Sequence, residues 1–109
     1  MEKITERTIV MANAYAKKAC NIHRVLKKKA KNELLIIVVR NHAYTFREDA
    51  RRIEAAPQIG LIVGELGEDR RILATGFARE MMDTYLPKMS ASGFKVAICD
   101  MDKRQIRHI

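Results

Sequence analysis

Apolar residues along the chain recur with spacings that predict alternating helices and strands. Near the N-terminus they are separated alternately by seven and four positions, which places them on one face of an α-helix. This stripe consists of Ile4, Met11, Tyr15, Ile22 and Leu26. Because no Pro or Gly interrupts residues 1–56, we predict a first helix that runs to about Lys29, with or without a break near Asn21.

Four later segments have the composition of strands. The continuous, β-branched run LLIIVV is too short for a typical helix and is typical of a strand buried on both faces. Gly64 and Gly67 open a turn, so the segments on either side of them are expected to pair antiparallel. The predicted strands are Leu34–Val39, Ile59–Val63, Arg71–Thr75 and Phe94–Cys99.

Two further helices are predicted between these strands. Thr45 and Glu48 have the spacing of a capping box, so one helix should begin there and end before Pro57. The other should follow Gly76 and end at Gly93, because apolar residues between them recur every four positions. Those residues are Phe77, Met81, Tyr85 and Met89. Pro87 inside this helix conflicts with the pattern, since an interior proline costs about 3 kcal/mol.

The predicted order α-β-α-β-β-α-β indicates an α/β fold with a small mixed sheet flanked by helices. A chain of 109 residues has the length of one domain. We divide it into a basic helical segment at 1–31, an α/β body at 32–102 and a basic tail at 103–109. The tail carries no turn signal and is expected to be a frayed end or an arm.

Positive charge is concentrated in the N-terminal third. The chain has a net charge of +8, and residues 1–31 hold nine of its 21 Lys and Arg but only two of its 13 Asp and Glu. Such asymmetry suggests a polyanionic partner, most often nucleic acid. The alternative is a solvated helix face that only keeps the protein soluble. Aromatic residues make up 6% of the chain and form no cluster suited to stacking bases.

The motifs of common enzyme classes are absent from the sequence. It contains no P-loop, no G-x-G-x-x-G, no H-E-x-x-H and no G-x-S-x-G. The acidic pairs Glu48-Asp49 and Glu68-Asp69 fit a helix first turn and a hairpin turn, and Asp100 and Asp102 fit a solvated strand exit better than a cation site. We therefore predict neither an enzyme nor a cofactor.

Cysteine usage and the N-terminus indicate a cytoplasmic protein. Cys20 and Cys99 match no metal-ligand spacing and are expected to be buried, unpaired thiols in a reducing compartment. The longest aliphatic run is the six residues of Leu34–Val39, far short of the about 20 that span a bilayer. The first residues also lack the apolar core of a secretory signal.

Three segments of the chain resemble a known family. Residues 83–100, DTYLPKMSASGFKVAICD, resemble the end of domain I of the MutS DNA mismatch repair proteins, where a YLAKLVxxGYKVAICEQ pattern leads from a helix into a strand. Residues 41–50, NHAYTFREDA, resemble the family's GDFYELFYDDA segment, and Leu34–Val39 resembles its first strand. The resemblance covers about residues 20–102. It implies a mixed sheet with helices around it and the expectation of an isolated domain I without the family's ATPase.

The resemblance also implies where a mispaired base would be contacted. MutS proteins of this kind use a Phe-x-Glu motif, whose phenyl ring wedges beside the mispair from the minor groove. When the two sequences are aligned without gaps on Phe46 and Asp49, the Phe position falls on His42 and the Glu position on Tyr44. Neither residue matches, so the mismatch-reading role is not carried over. The two residues are expected either to lie nearest the groove or to be loop residues at a strand end.

Charge and resemblance together predict a non-enzymatic DNA-binding module with little mismatch specificity, which contacts mainly phosphates. The alternatives are a protein-interaction or scaffold domain without nucleic acid, and binding of RNA, because phosphate contacts carry little sequence information. The candidate DNA-binding residues are Lys27, Lys28, Lys29, Lys31, Arg40, His42, Tyr44 and Arg47.

Overall fold

A computed structural model of the chain describes residues 14–66 and 69–109. Within them lie three α-helices, α1 (Ala14–Leu26), α2 (Arg47–Glu54) and α3 (Met82–Ala91). The strands are β1 (Leu34–Val39), β2 (His42–Phe46), β3 (Gly64–Leu66), β4 (Asp69–Ala78), β5 (Val96–Asp100) and β6 (Gln105–His108). Short 3-10 turns occupy Lys27–Lys29, Pro57–Ile59 and Arg79–Met81. The predicted helical residues before position 14, including Ile4 and Met11, lie outside the described residues.

The strands form one mixed sheet in the order β3-β4-β2-β1-β5-β6. β1 is antiparallel to β2, where Val39 pairs with His42, and parallel to β5, where Leu34 pairs with Val96. The other neighbouring strands are antiparallel. The predicted α/β class with a mixed sheet is confirmed.

Helices cover both faces of the sheet, which explains the unbroken apolar run of β1. Alternate residues of β1, beginning at Leu35, face α1 and pack with Ala16 and Ala19. The other half, beginning at Leu34, packs with Ile53 of α2 and Met89 of α3. All six β1 residues are therefore buried, as predicted.

The buried face of α1 differs from the predicted stripe. Tyr15 is 44% exposed, and Ile22 and Leu26 are only partly buried at the edge of the cluster. The buried face consists instead of Ala16, Ala19, Cys20 and His23. Small side chains suit a helix that lies flat against a sheet, and an analysis based on large apolar residues overlooks them. The α-helix continues through Asn21 and ends at Leu26, where the 3-10 turn follows.

The capping-box interpretation is wrong, because residues 42–46 form strand β2. The Thr45 hydroxyl donates to the Leu35 carbonyl oxygen at 2.7 Å and caps no helix. Phe46 precedes the first helical residue of α2 and has extended backbone angles of −144° and 163°. Only the first residue of β2 is exposed, so no alternation of exposed and buried residues marks this strand, and the local Thr-x-x-Glu pattern obscured it.

The predicted strand Ile59–Val63 is wrong, whereas the predicted strand Arg71–Thr75 is confirmed as part of the longer strand β4. Residues 57–59 form a 3-10 turn rather than a strand, and β3 begins only at Gly64. β4 runs to Ala78, so Gly76 and Phe77 are strand residues and not the start of a helix. Gly76 of β4 pairs with Tyr44 of the neighbouring strand β2. A Cβ atom at Gly76 would be 3.0 Å from both the Ala43 carbonyl oxygen and the Tyr44 ring.

The C-terminal third contains one confirmed helix end and one missed strand. α3 includes Pro87 and ends in a left-handed turn, in which Gly93 has a φ of 90° and the Phe94 amide donates to the Met89 carbonyl oxygen at 3.1 Å. The tail is neither frayed nor an arm at Gln105–His108, since this segment pairs antiparallel with β5. Its side chains are all exposed, so no apolar alternation marked it.

Both cysteines are buried free thiols, as expected. Burial, and secondarily the neighbouring charge of Asp100, raise the pKa of the Cys99 thiol. A raised pKa lowers the fraction of the nucleophilic thiolate at neutral pH.

Candidate nucleic-acid interface

The candidate residues lie at two opposite ends of β1. Lys27–Lys31 precede the strand, and Arg47 returns to the same end because β2 is antiparallel to β1. Arg40 and His42 flank the β1–β2 turn at the other end. A strand of six residues separates the two ends by about 17 Å. We call Lys28, Lys29 and Lys31 the lysine end, and Arg40 and His42 the hairpin end.

The lysine end presents free cations. Lys28, Lys29 and Lys31 are exposed, and in the part of the chain that the structure describes none of them has an ion-pair or side-chain hydrogen-bond partner. Lys27 differs, because its side chain is largely buried. Its Nζ atom lies 2.8 Å from Asp49 Oδ1 and also donates to the Glu33 carbonyl oxygen. Lys27 therefore belongs to the interior of the domain rather than to a phosphate-binding surface.

Asp49 is fully buried at the start of α2 and joins three segments of the chain. Its Oδ2 atom lies 2.8 Å from His23 Nε2 and accepts the Leu35 amide at 3.1 Å. Burial alone would raise the pKa of Asp49, but hydrogen bonds from His23, Lys27 and the Leu35 amide outweigh it and lower the pKa. The carboxylate is therefore ionised at neutral pH, which requires the His23 Nε2 atom to carry the proton. His23 Nδ1 has no partner among the described residues.

This network was not predicted. Its members are up to 26 positions apart, so no local motif joins them. The one available signal was the spacing of four between His23 and Lys27, which places both on one face of α1.

α1 connects the two ends of the site with an exposed basic face. Its N-terminal part lies at the hairpin end, where the Arg40 guanidinium is 5.2 Å from the centroid of the Tyr15 ring. Its C-terminal part lies at the lysine end, beside Asp49. Exposed along α1 are the side chains of Lys17, Lys18 and Arg24, and Lys28 is exposed in the 3-10 turn that follows. We call these four residues the basic ridge, and at helical rise it extends for about 16 Å.

Hydrogen bonds and ion pairs that involve Arg79, Asp100 and Asp102 fix the backbone at the hairpin end. The Arg40 amide donates to Asp102 Oδ1 at 3.3 Å, and the Arg79 amide donates to the Asn41 carbonyl oxygen at 2.8 Å. The Arg79 guanidinium contacts Asp100 and lies 3.5 Å from Asp102. Both the amide and the side chain of Arg79 thus bind groups at this end of the sheet.

Asp100 is therefore more than the solvated strand exit that the sequence suggested. Its Oδ1 atom accepts the amides of Asp102 at 3.0 Å and Lys103 at 3.2 Å. Burial would raise the pKa of Asp100, but these hydrogen bonds and the nearby Arg79 lower it. Asp100 and Asp102 fix the backbone of the hairpin end.

The rings of His42, Tyr44 and Phe46 form a row on one face of β2, and only His42, at the hairpin end, is exposed. The rings of His42 and Tyr44 stack with centroids 6.0 Å apart, and those of Tyr44 and Phe46 with centroids 6.2 Å apart. Tyr44 is 1% exposed and packs in the cluster beneath α1, so its side chain is not at the surface, and of the two predicted groove residues only His42 is exposed. Arg47 is partly buried and its Nη1 atom donates to Cys20 Sγ at 3.1 Å.

Comparison with known proteins identifies the domain. A family model described as MutS domain I matches residues 17–107. The chain belongs to the MutS domain I family. The DNA mismatch repair protein MutS of Flavobacterium johnsoniae is 31% identical over 99 residues, which is 91% of this chain and 10% of that protein. The MutS of Cytophaga hutchinsonii is 33% identical over 91 residues, or 80% of this chain and 10% of that protein.

The chain thus spans about a tenth of the length of the curated MutS relatives that it matches. The domain I fold implied by the resemblance is confirmed by the mixed sheet. In residues 14–66 and 69–109, no helix is long and apolar enough to cross a membrane. Over the same ranges, no three or more His, Cys, Asp or Glu side chains are grouped so as to hold a metal ion.

Proposed function

We propose that this MutS domain I is a non-enzymatic module that binds duplex DNA through its phosphates and has little preference for mismatches. The observation that carries the proposal is the lysine end, where three exposed cations have no partner among the described residues. The relatives are named as DNA mismatch repair proteins, which favours DNA over other polyanions.

The basic ridge gives these cations a linear arrangement that suits a duplex. DNA presents one negative charge for about every 1.7 Å of its axis, so a ridge about 16 Å long can face several phosphates at once. Neutralising them releases condensed counterions, which makes binding favourable at low salt and independent of sequence. Beyond the ridge, at the hairpin end, the Arg40 guanidinium lies over the Tyr15 ring and has no carboxylate partner in the described residues.

The hairpin end supports contact with DNA but not the family's mode of mismatch reading. His42 is exposed, but its imidazole ring is polar, unlike the phenyl ring that the family motif inserts beside a mispair. Tyr44 is buried, so no carboxylate and no second side chain reaches a base edge from the Glu position of the motif. Inserting a wedge costs a few kcal/mol of base unstacking, which two matching contacts would have to recover.

A salt titration with four nucleic acids tests the proposal. The 109-residue chain is mixed with a fluorescent homoduplex, the same duplex with one mismatch, its single strand, and an RNA hairpin, and anisotropy is followed from low to high salt. We expect both duplexes to bind with similar affinities that fall linearly on logarithmic axes, by about 0.9 for each neutralised phosphate. Absence of binding at low salt, or affinity that ignores salt, would refute the proposal.

One observation favours the alternative of a protein-interaction domain. β6 is the edge of the sheet among the described residues, and its Ile106 side chain is 49% exposed. A strand from a partner protein could pair with this edge. The alternative predicts no binding to any of the four nucleic acids at low salt, so the same titration separates the two functions.

A further inference from the structure

We propose that a cleft at the lysine end, outside the basic ridge, holds a backbone phosphate of the bound nucleic acid; this inference rests on the proposed function. The cleft is an open cavity of about 420 Å³ where β1 and β5 begin. Its lining residues are Asn32, Leu34, Arg52, Gly93, Phe94 and Lys95.

The ionisable groups that line the cleft are all cationic. Lys95 is exposed and has no side-chain partner in the described residues. Arg52 lies 3.7 Å from Asp49, a separation too long for a hydrogen bond. Because His23, Lys27 and the Leu35 amide already bind the Asp49 carboxylate, the Arg52 guanidinium keeps its donors available for another anion.

The shape and polarity of the cleft suit a phosphate group. A guanidinium can bind two phosphate oxygens at once, and an ammonium adds a point charge. The exposed Asn32 amide supplies further hydrogen-bond donors. At Gly93 the space beside the backbone is open, since an added Cβ atom would meet nothing within 4 Å. A phosphate can therefore approach the turn that follows α3.

The rim of the cleft is fixed by backbone hydrogen bonds. The Leu34 amide donates to the Lys95 carbonyl oxygen at 2.7 Å, which ties the start of β1 to the start of β5. The neighbouring carboxylate of Glu33 is 2.7 Å from His108 Nδ1 and does not line the cleft. The backbone of the rim is thus fixed, and the carboxylate nearest to its cations in the described residues is that of Asp49, 3.7 Å from Arg52.

Continuity with the lysine end favours a nucleic acid over a small anion. Lys31 immediately precedes Asn32, and the free cations of the lysine end lead from α1 toward the start of β1. A polyanion bound at Lys31 would therefore pass the rim of the cleft at Asn32. We assign the cleft to a phosphodiester, and treat an acidic peptide as a contrary outcome of the test.

The test compares two double variants that each remove two positive charges. Arg52→Gln with Lys95→Gln alters the cleft, whereas Arg51→Gln with Lys88→Gln alters exposed cations of α2 and α3 that do not line it. We expect the cleft variant to lower the salt slope of homoduplex binding by about 0.9 for the lost phosphate, and the control to leave the slope unchanged. Lys95→Gln alone repeats the test without touching Arg52, in case the double variant fails to fold.

Amide resonances show where on the chain the duplex binds, which the salt slope does not. In the unmodified chain, adding homoduplex should shift the amide signals of Gly93 and Lys95, and the cleft variant should lose these shifts. The inference is overturned if the cleft variant and the unmodified chain have equal salt slopes of binding, or if the control variant loses as much slope as the cleft variant. It is also overturned if a poly-glutamate peptide, but not DNA, shifts the amide signals of Gly93 and Lys95. If the unmodified chain binds no duplex, the proposed function itself fails; if it binds but the cleft variants behave normally, only the cleft assignment fails.

Discussion

The imidazole of His42 stacks on the ring of Tyr44 with centroids 6.0 Å apart and planes inclined by 24°, yet only the imidazole reaches solvent. These two residues stand where the MutS resemblance places the Phe and the Glu of the mismatch motif. The two motif positions thus offer one exposed polar ring and no carboxylate. In this domain the row of rings stabilises β2 beneath α1 and exposes only its last member.

Mismatched and matched duplexes should bind with affinities that agree within a few-fold at equal salt. Each specific base contact is worth about 1–3 kcal/mol, and the two contacts of the family motif are missing here. Competition between the two duplexes measures the ratio. A hundredfold preference for the mismatch that disappears in His42→Ala would contradict this expectation. Tyr44→Ala is unsuitable as a test, because truncating a buried aromatic ring costs about 3–5 kcal/mol of stability.

Asp49→Asn should destabilise the domain strongly. The substitution removes the buried charge that holds His23 and Lys27, and breaking a buried pair by changing one partner costs about 3–5 kcal/mol. Urea unfolding followed by circular dichroism measures the loss. Glu48→Gln is the matched control, since Glu48 is exposed and its nearest cation, Arg51, is 3.7 Å away; its free energy of unfolding should change by about 0.5 kcal/mol or less. Equal losses of unfolding free energy in Asp49→Asn and Glu48→Gln would show that the buried contacts of Asp49 do not stabilise the domain.

The contribution of Asp49 should disappear on acidification. Its pKa in the folded domain is lowered from the ordinary 3.8, so the stabilisation is fully present above that value and is lost as the pH falls through the folded pKa. The difference in unfolding free energy between the unmodified domain and Asp49→Asn should therefore be constant from about pH 7 to pH 5 and shrink below about pH 4. A difference that stays the same down to pH 3 would contradict the assigned pKa shift.

Gly76→Ala should lower the free energy of unfolding by disturbing the pairing of β2 with β4. The added methyl group would meet the Ala43 carbonyl oxygen and the Tyr44 ring at 3.0 Å, and overpacking of this kind costs about 1–3 kcal/mol. Urea unfolding measures the cost, and the near-ultraviolet circular dichroism of the tyrosines should change because the Tyr44 ring must move. If the variant is as stable as the unmodified domain and its spectrum is unchanged, a methyl group at position 76 fits between β4 and the Tyr44 ring, which would contradict the prediction.

The sequence allowed prediction of those elements whose signals are local and unopposed. β1 was predicted to the residue because a run of six aliphatic residues fits only a strand buried on both faces. The end of α3 was predicted because Gly93 adopts the left-handed conformation that a helix terminus requires. β2 was missed because the Thr-x-x-Glu pattern at Thr45 has a local meaning that the pairing with β1 overrides.

The charged residues of the candidate site could be selected from the sequence, but their positions relative to one another could not. Composition alone identified the lysines, yet it could not show that Lys27 faces Asp49 while its neighbours face solvent. Likewise, the alignment that placed Tyr44 at a motif position carried no information on its burial. Both outcomes depend on contacts between residues far apart in the sequence, which only the folded chain brings together.

The central claim, that free cations at the lysine end bind DNA phosphates, is tested most directly by the salt dependence of homoduplex binding in Lys28→Gln with Lys31→Gln. Lys27 is left unchanged because its ammonium group stabilises Asp49, and Arg51→Gln with Lys88→Gln again serves as the control of equal charge. We predict that the slope of log affinity against log salt falls by about 0.9 for each lost phosphate contact in the lysine variant and is unchanged in the control. Equal slopes for the lysine variant, the control and the unmodified domain would contradict the account.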